Sequence, residues 1–470
     1  MRLLTTWEAI EHAGPGIYDE AYLDYFAAIA KRAGDFGFHV FIDFHQDVWS
    51  RMSGGDGAPG WIFEAVGLDF TKFDTADAAH VMAYRYDAEL GGRQDSYPQM
   101  SWGANYRMPA NGIMWTLFLA GQEFAPTAMI DGRNIGLYLQ DHYLGSMRAV
   151  AVRLAHMSHV IGFDTLNEPG SGWIGQRLHE RRGLLRGLSW SPLDGLAVAS
   201  GMMRALPLLE GGERVVNNMA VSIRRDGVVD PFRAAGVWDV DGSGEPIALN
   251  PDYFTMFEGR PLDFGSDIML PFYHRVADTV RAVRDDWLLF AEADPFGGHG
   301  LPFNCPERTV NASHWYDLAT LVTKRFTPWR TQDLLTGATH EGREAVTAAY
   351  ISGLQRIADI GDELDSGVPS LIGEFGIPFD LNDGKAYRRW TEGNHSAEIW
   401  DDHIAALSAM YDALDALLLS STQCELSYAH SNGSLLLQPY AGVSNVHLRT
   451  NMINEVVGSS SLQADLRDRR

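Results

Sequence analysis

A repeated pairing runs through this chain: an amphipathic helical stretch, then a short run of nearly unbroken apolar residues. Residues 19–33 (DEAYLDYFAAIAKRA) set Tyr22, Leu23, Phe26, Ala27, Ala30 and Ala33 at helical spacing behind Asp19, a fitting N-cap, and Gly34 and Gly37 end the stretch. FHVFIDF follows at 38–44. A strand apolar on both faces is one buried on both faces, as strands of parallel sheets are. The pairing recurs: a helix over 134–158 precedes VIGFDTL (160–166), one over 271–285 precedes WLLFA (287–291), one over 342–360 precedes PSLIGE (369–374), and one over 397–419 precedes STQCELSY (421–428). TVNASHW (309–315) is a further strand, and RLLTT opens the chain. Strands that alternate with helices predict an α/β fold with a parallel sheet. At 470 residues a (β/α)8 TIM barrel fits best, with a doubly wound sheet as the alternative. Two segments, 45–133 and 170–270, exceed what a minimal barrel needs and read as long functional loops. The reading is thus one catalytic domain over 1–430 and an irregular tail over 431–470.

Polar chemistry gathers where the apolar runs stop. Asn167-Glu168-Pro169 follows the run at 160–166, and Glu374 closes the run at 369–374 inside Gly373-Glu374-Phe375-Gly376. The C-terminal ends of barrel strands form the catalytic face. Two carboxyl groups on such a face suit glycoside hydrolysis, in which one protonates the leaving oxygen and the other attacks the anomeric carbon or activates water. Asn167 is placed to donate to a sugar hydroxyl. His45-Gln46-Asp47 follows the run at 38–44, and His45 and Asp47 both suit sugar hydroxyls. His314-Trp315-Tyr316 ends the run at 309–315; Tyr316 can hydrogen-bond a nucleophile, and Trp315 can stack on a sugar or fill the core.

Other chemistries are excluded. With 37 basic and 61 acidic residues the net charge is −24, which disfavours nucleic acid or an anionic membrane as the main partner. No apolar run approaches the ~20 residues of a membrane span, so no integral membrane segment is expected. The N-terminal residues lack a signal-peptide pattern, which predicts a cytoplasmic protein. Two cysteines, Cys305 and Cys424, make neither a disulfide framework nor a cysteine zinc site. Gly55-Asp56-Gly57-Ala58-Pro59-Gly60 matches GxGxxG in letters only. It lies about ten residues past its strand and opens no helix, so it reads as a tight-turn loop. No cofactor or metal is expected.

These residues resemble glycoside hydrolase family 5, in the branch of endoglycoceramidases and of the β-glucosylceramidase and steryl β-glucosidase group. The carrying motifs are FIDFHQDVWSRMSGGDGAPGW (41–61), GFDTLNEP (162–169), NASHWYD (311–317) and LIGEFGIP (371–378), with FLAGQEFAP (118–126) and PDYFTMFEGRPLDF (251–264) beside them. The resemblance implies a retaining enzyme in which Glu168 is the acid/base, Glu374 the nucleophile and Asn167 the support of the sugar 2-hydroxyl. It implies that Tyr316 and His314 orient the nucleophile and line the site, that His45 and Asp47 contact sugar, and that Arg2 supports Glu374. It departs from the family in three ways. The barrel strand before Arg2 is missing, Gln423-Cys424-Glu425 stands where the family has a sugar-stacking tryptophan, and the tail does not resemble the family's C-terminal β-sandwich. The expected activity is hydrolysis of a β-glucoside with a hydrophobic aglycone, such as glucosylceramide or a steryl glucoside. The alternatives are an endo-acting glycoceramidase and an inactive glycan- or glycolipid-binding relative.

Overall fold

The apolar runs form strands, and the periodic stretches before them form helices. The structure is a computed structural model that describes residues 1–81, 102–184, 186–293, 300–334, 336–364 and 367–423. The expected tail at 431–470 and the Cys424-Glu425 pair lie outside the described residues. In chain order the framework is strand β1 (Arg2–Thr5), helix α1 (Glu20–Asp35), β2 (Val40–Phe44), α2 (Pro109–Phe124), α3 (Ile135–Leu154), β3 (Val160–Asp164) and α4 (Leu270–Arg281). It continues with β4 (Leu288–Ala291), β5 (Thr309–Asn311), α5 (Arg343–Glu363), β6 (Leu371–Phe375), α6 (Asp401–Ala416) and β7 (Ser420–Gln423). The chain divides into two compact units. An N-terminal unit holds Thr5–Trp287 and Pro302–Pro306; a C-terminal unit holds Met1–Leu4, Leu288–Leu301 and the chain from Glu307 on.

In the N-terminal unit, α1 starts where Asp19 accepts the Tyr22 N–H at 2.9 Å, and it buries Leu23, Phe26, Ala30 and Ala33 along one stripe. All five residues of β2 are buried, and β2 pairs in parallel with β3 in the register Phe41 to Gly162 and Ile42 to Phe163. On the other side of β2, His45 donates its backbone N–H to Thr5 O at 2.7 Å. The segment 45–133, expected as loop, contains a helix. In α2 nearly every residue is buried, including Trp115, Leu117 and Phe118. A helix enclosed on all sides carries no polar stripe, so it lacks the periodicity that reveals a helix in sequence. It packs tightly on α3: a Cβ on Gly136 would sit 2.7 Å from Leu117 O and 2.9 Å from Gly121 N. The segment 170–270 is likewise built rather than bare loop, with a helix at Pro192–Ala199 and antiparallel hairpins at Arg204–Pro207 with Glu213–Val216 and Trp238–Val240 with Pro246–Ala248.

In the C-terminal unit the framework strands pair in parallel, β4 with β5 (Leu289 to Thr309, Ala291 to Asn311), β5 with β6 through Asn311 and Ser370, and β6 with β7 (Leu371 to Ser420), beside a short antiparallel hairpin of Arg330–Gln332 with Thr339–Glu341. Val346, Tyr350 and Leu354 of α5 and Ala406, Met410, Ala413 and Leu414 of α6 close over Ile372 and Phe375 of β6. The strand pairings within the units, among the described residues, do not make a closed ring of eight. Such a ring needs eight parallel strands, and the helix–strand alternation supplies seven among the described residues. What holds of the expected (β/α)8 barrel is the parallel, helix-alternating α/β architecture.

Gly136→Ala is expected to destabilise the protein by about 1–3 kcal/mol, because the added methyl meets backbone that cannot rotate away. Urea denaturation followed by tryptophan fluorescence, with the midpoint lowered and the slope unchanged, is the readout.

Candidate active site

In the C-terminal unit, β6 delivers Glu374 through an irregularity. Pairing with β7 shifts between Ile372 and Phe375, which breaks the two-residue alternation. Ile372 and Phe375 therefore both enter the core, and Glu374 turns elsewhere. Its Oε1 accepts from Arg2 Nη1, and its Oε2 accepts from Tyr316 Oη at 2.8 Å. His314 Nδ1 stands 3.6 Å from Glu374 Oε2. A second carboxylate, Glu292, joins the group: Arg2 Nη2 donates to its Oε1 at 2.8 Å, and His314 Nε2 lies 2.9 Å from the same oxygen. The side chains of Arg2, Glu292 and His314 are at most 3 % exposed. Charges this dry persist only when they are paired, and Arg2, shared by two carboxylates, meets both.

In the N-terminal unit the residues after β2 and β3 form a second group. His45 Nδ1 lies 2.8 Å from Asp43 Oδ2, and His45 Nε2 lies 3.7 Å from Asp47 Oδ2. The glycine-rich loop folds back on this turn. Asp47 and Asp56 exchange backbone hydrogen bonds at 3.0 and 3.2 Å, and a Cβ on Gly57 would sit 2.5 Å from Gln46 Cβ. The glycines of the GxGxxG match thus serve close backbone approach, not phosphate binding. Burial pulls the His45 imidazole down, but Asp43, then Asp47 and Asp56, outweigh it and hold the ring well above its ordinary range. Burial pushes the Asp56 carboxyl up, His45 pulls it back, and Asp47, Asp43 and Glu8 push it up again, to about 7. The ligating atoms of His45, Asp47 and Asp56 lie within 4.8 Å of one another.

Asn167 and Glu168 follow β3. Asn167 Nδ2 donates to Gln46 O at 2.8 Å, and Glu168, buried, has φ +38°. Within each unit, then, the expected residues converge: Arg2, His314, Tyr316 and Glu374 in one, His45, Asp47, Asn167 and Glu168 in the other. Trp315 does not join them. Its indole meets Tyr350 edge-on at 5.1 Å and packs with the core under α5, because successive residues after β5 point to opposite sides. Of its two expected roles, this packing matches core filling. Asp43, Gln46, Asp56, Tyr106 and Glu292 were not singled out from sequence as site residues. Glu292 stands directly after WLLFA, so the strand-end rule that found Glu168 and Glu374 also finds it.

The chain is homologous to glycoside hydrolases, although no family model matches it. In particular it is homologous to proteins named glucosylceramidase and ergosteryl-β-glucosidase. It is 32 % identical over 449 residues to a Rhizopus delemar glucosylceramidase, covering 90 % of this chain and 63 % of the relative. It is 28 % identical over 482 residues to a Saccharomyces cerevisiae ergosteryl-β-glucosidase, covering 90 % and 62 %. The crystal structure of Cryptococcus neoformans sterylglucosidase 1 superposes with a TM-score of 0.81 at 28 % identity, covering 91 % of this chain and 65 % of that one. The chain thus spans somewhat less than two thirds of the length of these relatives.

Asp56→Asn tests the crowded acids. A carboxyl whose folded pKa is raised from 3.8 to about 7 costs the fold nothing below the lower value and progressively more up to the higher one. The melting temperature of the variant minus that of the unaltered chain is therefore expected to rise from pH 4 to about pH 7 and to level off above. A difference independent of pH contradicts the assignment.

Proposed function

We propose that this chain is a retaining β-glycosidase acting on β-glucosides with a hydrophobic, lipid-like aglycone. The observation that carries this reading is the environment of Glu374: a buried strand-end carboxylate held from two sides by Arg2 and Tyr316, leaving it aimed and its charge met. In the first step Glu374 attacks the anomeric carbon while Glu168 gives its proton to the departing aglycone oxygen. In the second, Glu168 takes a proton from water, which attacks the same carbon and frees Glu374 and the sugar. Atoms and charge balance with two carboxyl groups and one water, so the reaction calls for no cofactor. Asn167 is assigned the sugar 2-hydroxyl, and His45 and Asp47 the remaining sugar hydroxyls. His45 offers a ring N–H as donor and the Asp47 carboxyl an acceptor, which matches the two-way hydrogen bonding of a hydroxyl. Homology to proteins named glucosylceramidase and ergosteryl-β-glucosidase supports the lipid-like aglycone.

The test is a 2-deoxy-2-fluoro-β-glucoside with a dinitrophenolate leaving group, incubated with the purified chain and followed by intact mass and peptide mapping. A stoichiometric glycosyl adduct on Glu374, absent in Glu374→Gln, is the expected result. A protein with a cooperative melting transition that gains no adduct, or gains one on another residue, overturns the assignment.

A further inference from the structure

Glu168 stands in a backbone conformation that side chains with a Cβ rarely adopt. Its φ is +38°, and Pro169 behind it narrows the choice further, since a residue before proline is pushed out of the helical region. Such a geometry persists only where the surroundings determine it more than once. The surroundings here are one side-chain amide and one phenol. Gln46 Nε2 lies 2.7 Å from Asn167 O and 2.9 Å from Glu168 O. These are the carbonyls of the two peptide groups that flank the Glu168 Cα. Tyr106 Oη donates to Glu168 O at 3.0 Å and lies 3.0 Å from Gln46 Nε2. Fixing both peptide planes fixes φ and ψ of Glu168, and with them the direction in which its carboxyl leaves the chain.

The clamp is itself held. Gln46 Oε1 accepts the backbone N–H of Trp49 at 2.8 Å, which identifies the oxygen end of the amide and leaves nitrogen toward residues 167 and 168. The Gln46 backbone carbonyl receives Asn167 Nδ2 at 2.8 Å, so the two turns grip each other from both sides. Gln46 and Tyr106 are 4 % and 5 % exposed, so water does not compete for these bonds. Burial, and then the charge of Glu168, push the Tyr106 phenol far up, so its hydroxyl remains a donor throughout the working pH range.

We propose that Gln46, acting with Tyr106, is the positioning group of Glu168: it sets the backbone torsions that aim the acid/base carboxyl without touching substrate. This rests on the reading of Glu168 given above. A misaimed proton donor is costly only when the leaving group needs the proton. The experiment therefore compares a β-glucoside with an alkyl leaving group against one with a dinitrophenolate leaving group, in Gln46→Met, Tyr106→Phe and Glu168→Ala. Gln46→Met and Tyr106→Phe keep the packing volume and remove the hydrogen bonds. Both are expected to lose about tenfold or more in kcat/KM on the alkyl glucoside, in line with the cost of a small displacement of a catalytic group, and to stay within about threefold on the activated one. Glu168→Ala is expected to show the same split, larger, with azide restoring turnover of the activated glucoside. If Glu168→Ala shows the split and neither Gln46→Met nor Tyr106→Phe does, the positioning role falls and the acid/base reading stands. If the two variants lose equally on both substrates, the clamp is only structural and the proposal is overturned. If Glu168→Ala shows no split, the acid/base reading falls and takes this proposal with it.

Discussion

A carboxylate withdrawn from water must be met by a donor or a cation, and much of the polar architecture of this protein follows from that requirement. Glu374 and Glu292 share one guanidinium, and His314 lies against both of them. Asp43, Asp47 and Asp56 crowd one imidazole, and burial, joined by the neighbouring acids and opposed by His45, pushes the Asp56 carboxyl up to about 7. The two groups therefore differ in kind. The first sets two carboxylates on a shared guanidinium. The second holds a proton in reserve beside residues suited to hydroxyl recognition.

Backbone geometry supplies what charge alone cannot. The turn after β2 carries Val48 and Trp49 at φ +42° and +79°, and the turn after β3 carries Glu168 at +38°. Each is an unfavourable torsion for a side chain with a Cβ, of order 1–3 kcal/mol apiece. They are joined through Gln46, whose amide bonds to both turns. Strain in one turn is thereby held in place by the other, and the glycine-rich loop at 55–60 presses on the same spot. This concentration of unusual torsions around Glu168 is what sets the region apart from the ordinary strand ends nearby.

Much of this was legible in the sequence, for identifiable reasons. The strands were readable because doubly buried strands are apolar throughout, and Glu168 and Glu374 because a carboxylate at the end of such a run breaks the pattern visibly. Asp43 escaped notice for the opposite reason: one acid inside FIDF looks like a lapse in an apolar run until the imidazole beside it is seen. Asp56 was hidden in a loop that glycine explains by itself. Tyr106 is some sixty residues from Gln46 in sequence and meets it only through the fold, so no local spacing could reveal it. Trp315 has two possible roles by its position, and only the fold shows the contact with Tyr350 that bears on them.

Helix α2 has a consequence of another kind. It lies in a stretch that reads as an insertion on the α/β framework, the sort of segment that is exchanged between relatives or trimmed to simplify a protein. Yet Trp115 and Phe118 of α2 pack with Trp49, from the turn that leads to Gln46, and Phe118 reaches Phe272 of α4. Its backbone also lies against α3 at the Gly121–Gly136 crossing. The insertion is thus not an appendage but part of the foundation on which the HQD turn rests. Chimeras between such proteins must move α2, α3 and that turn as one block.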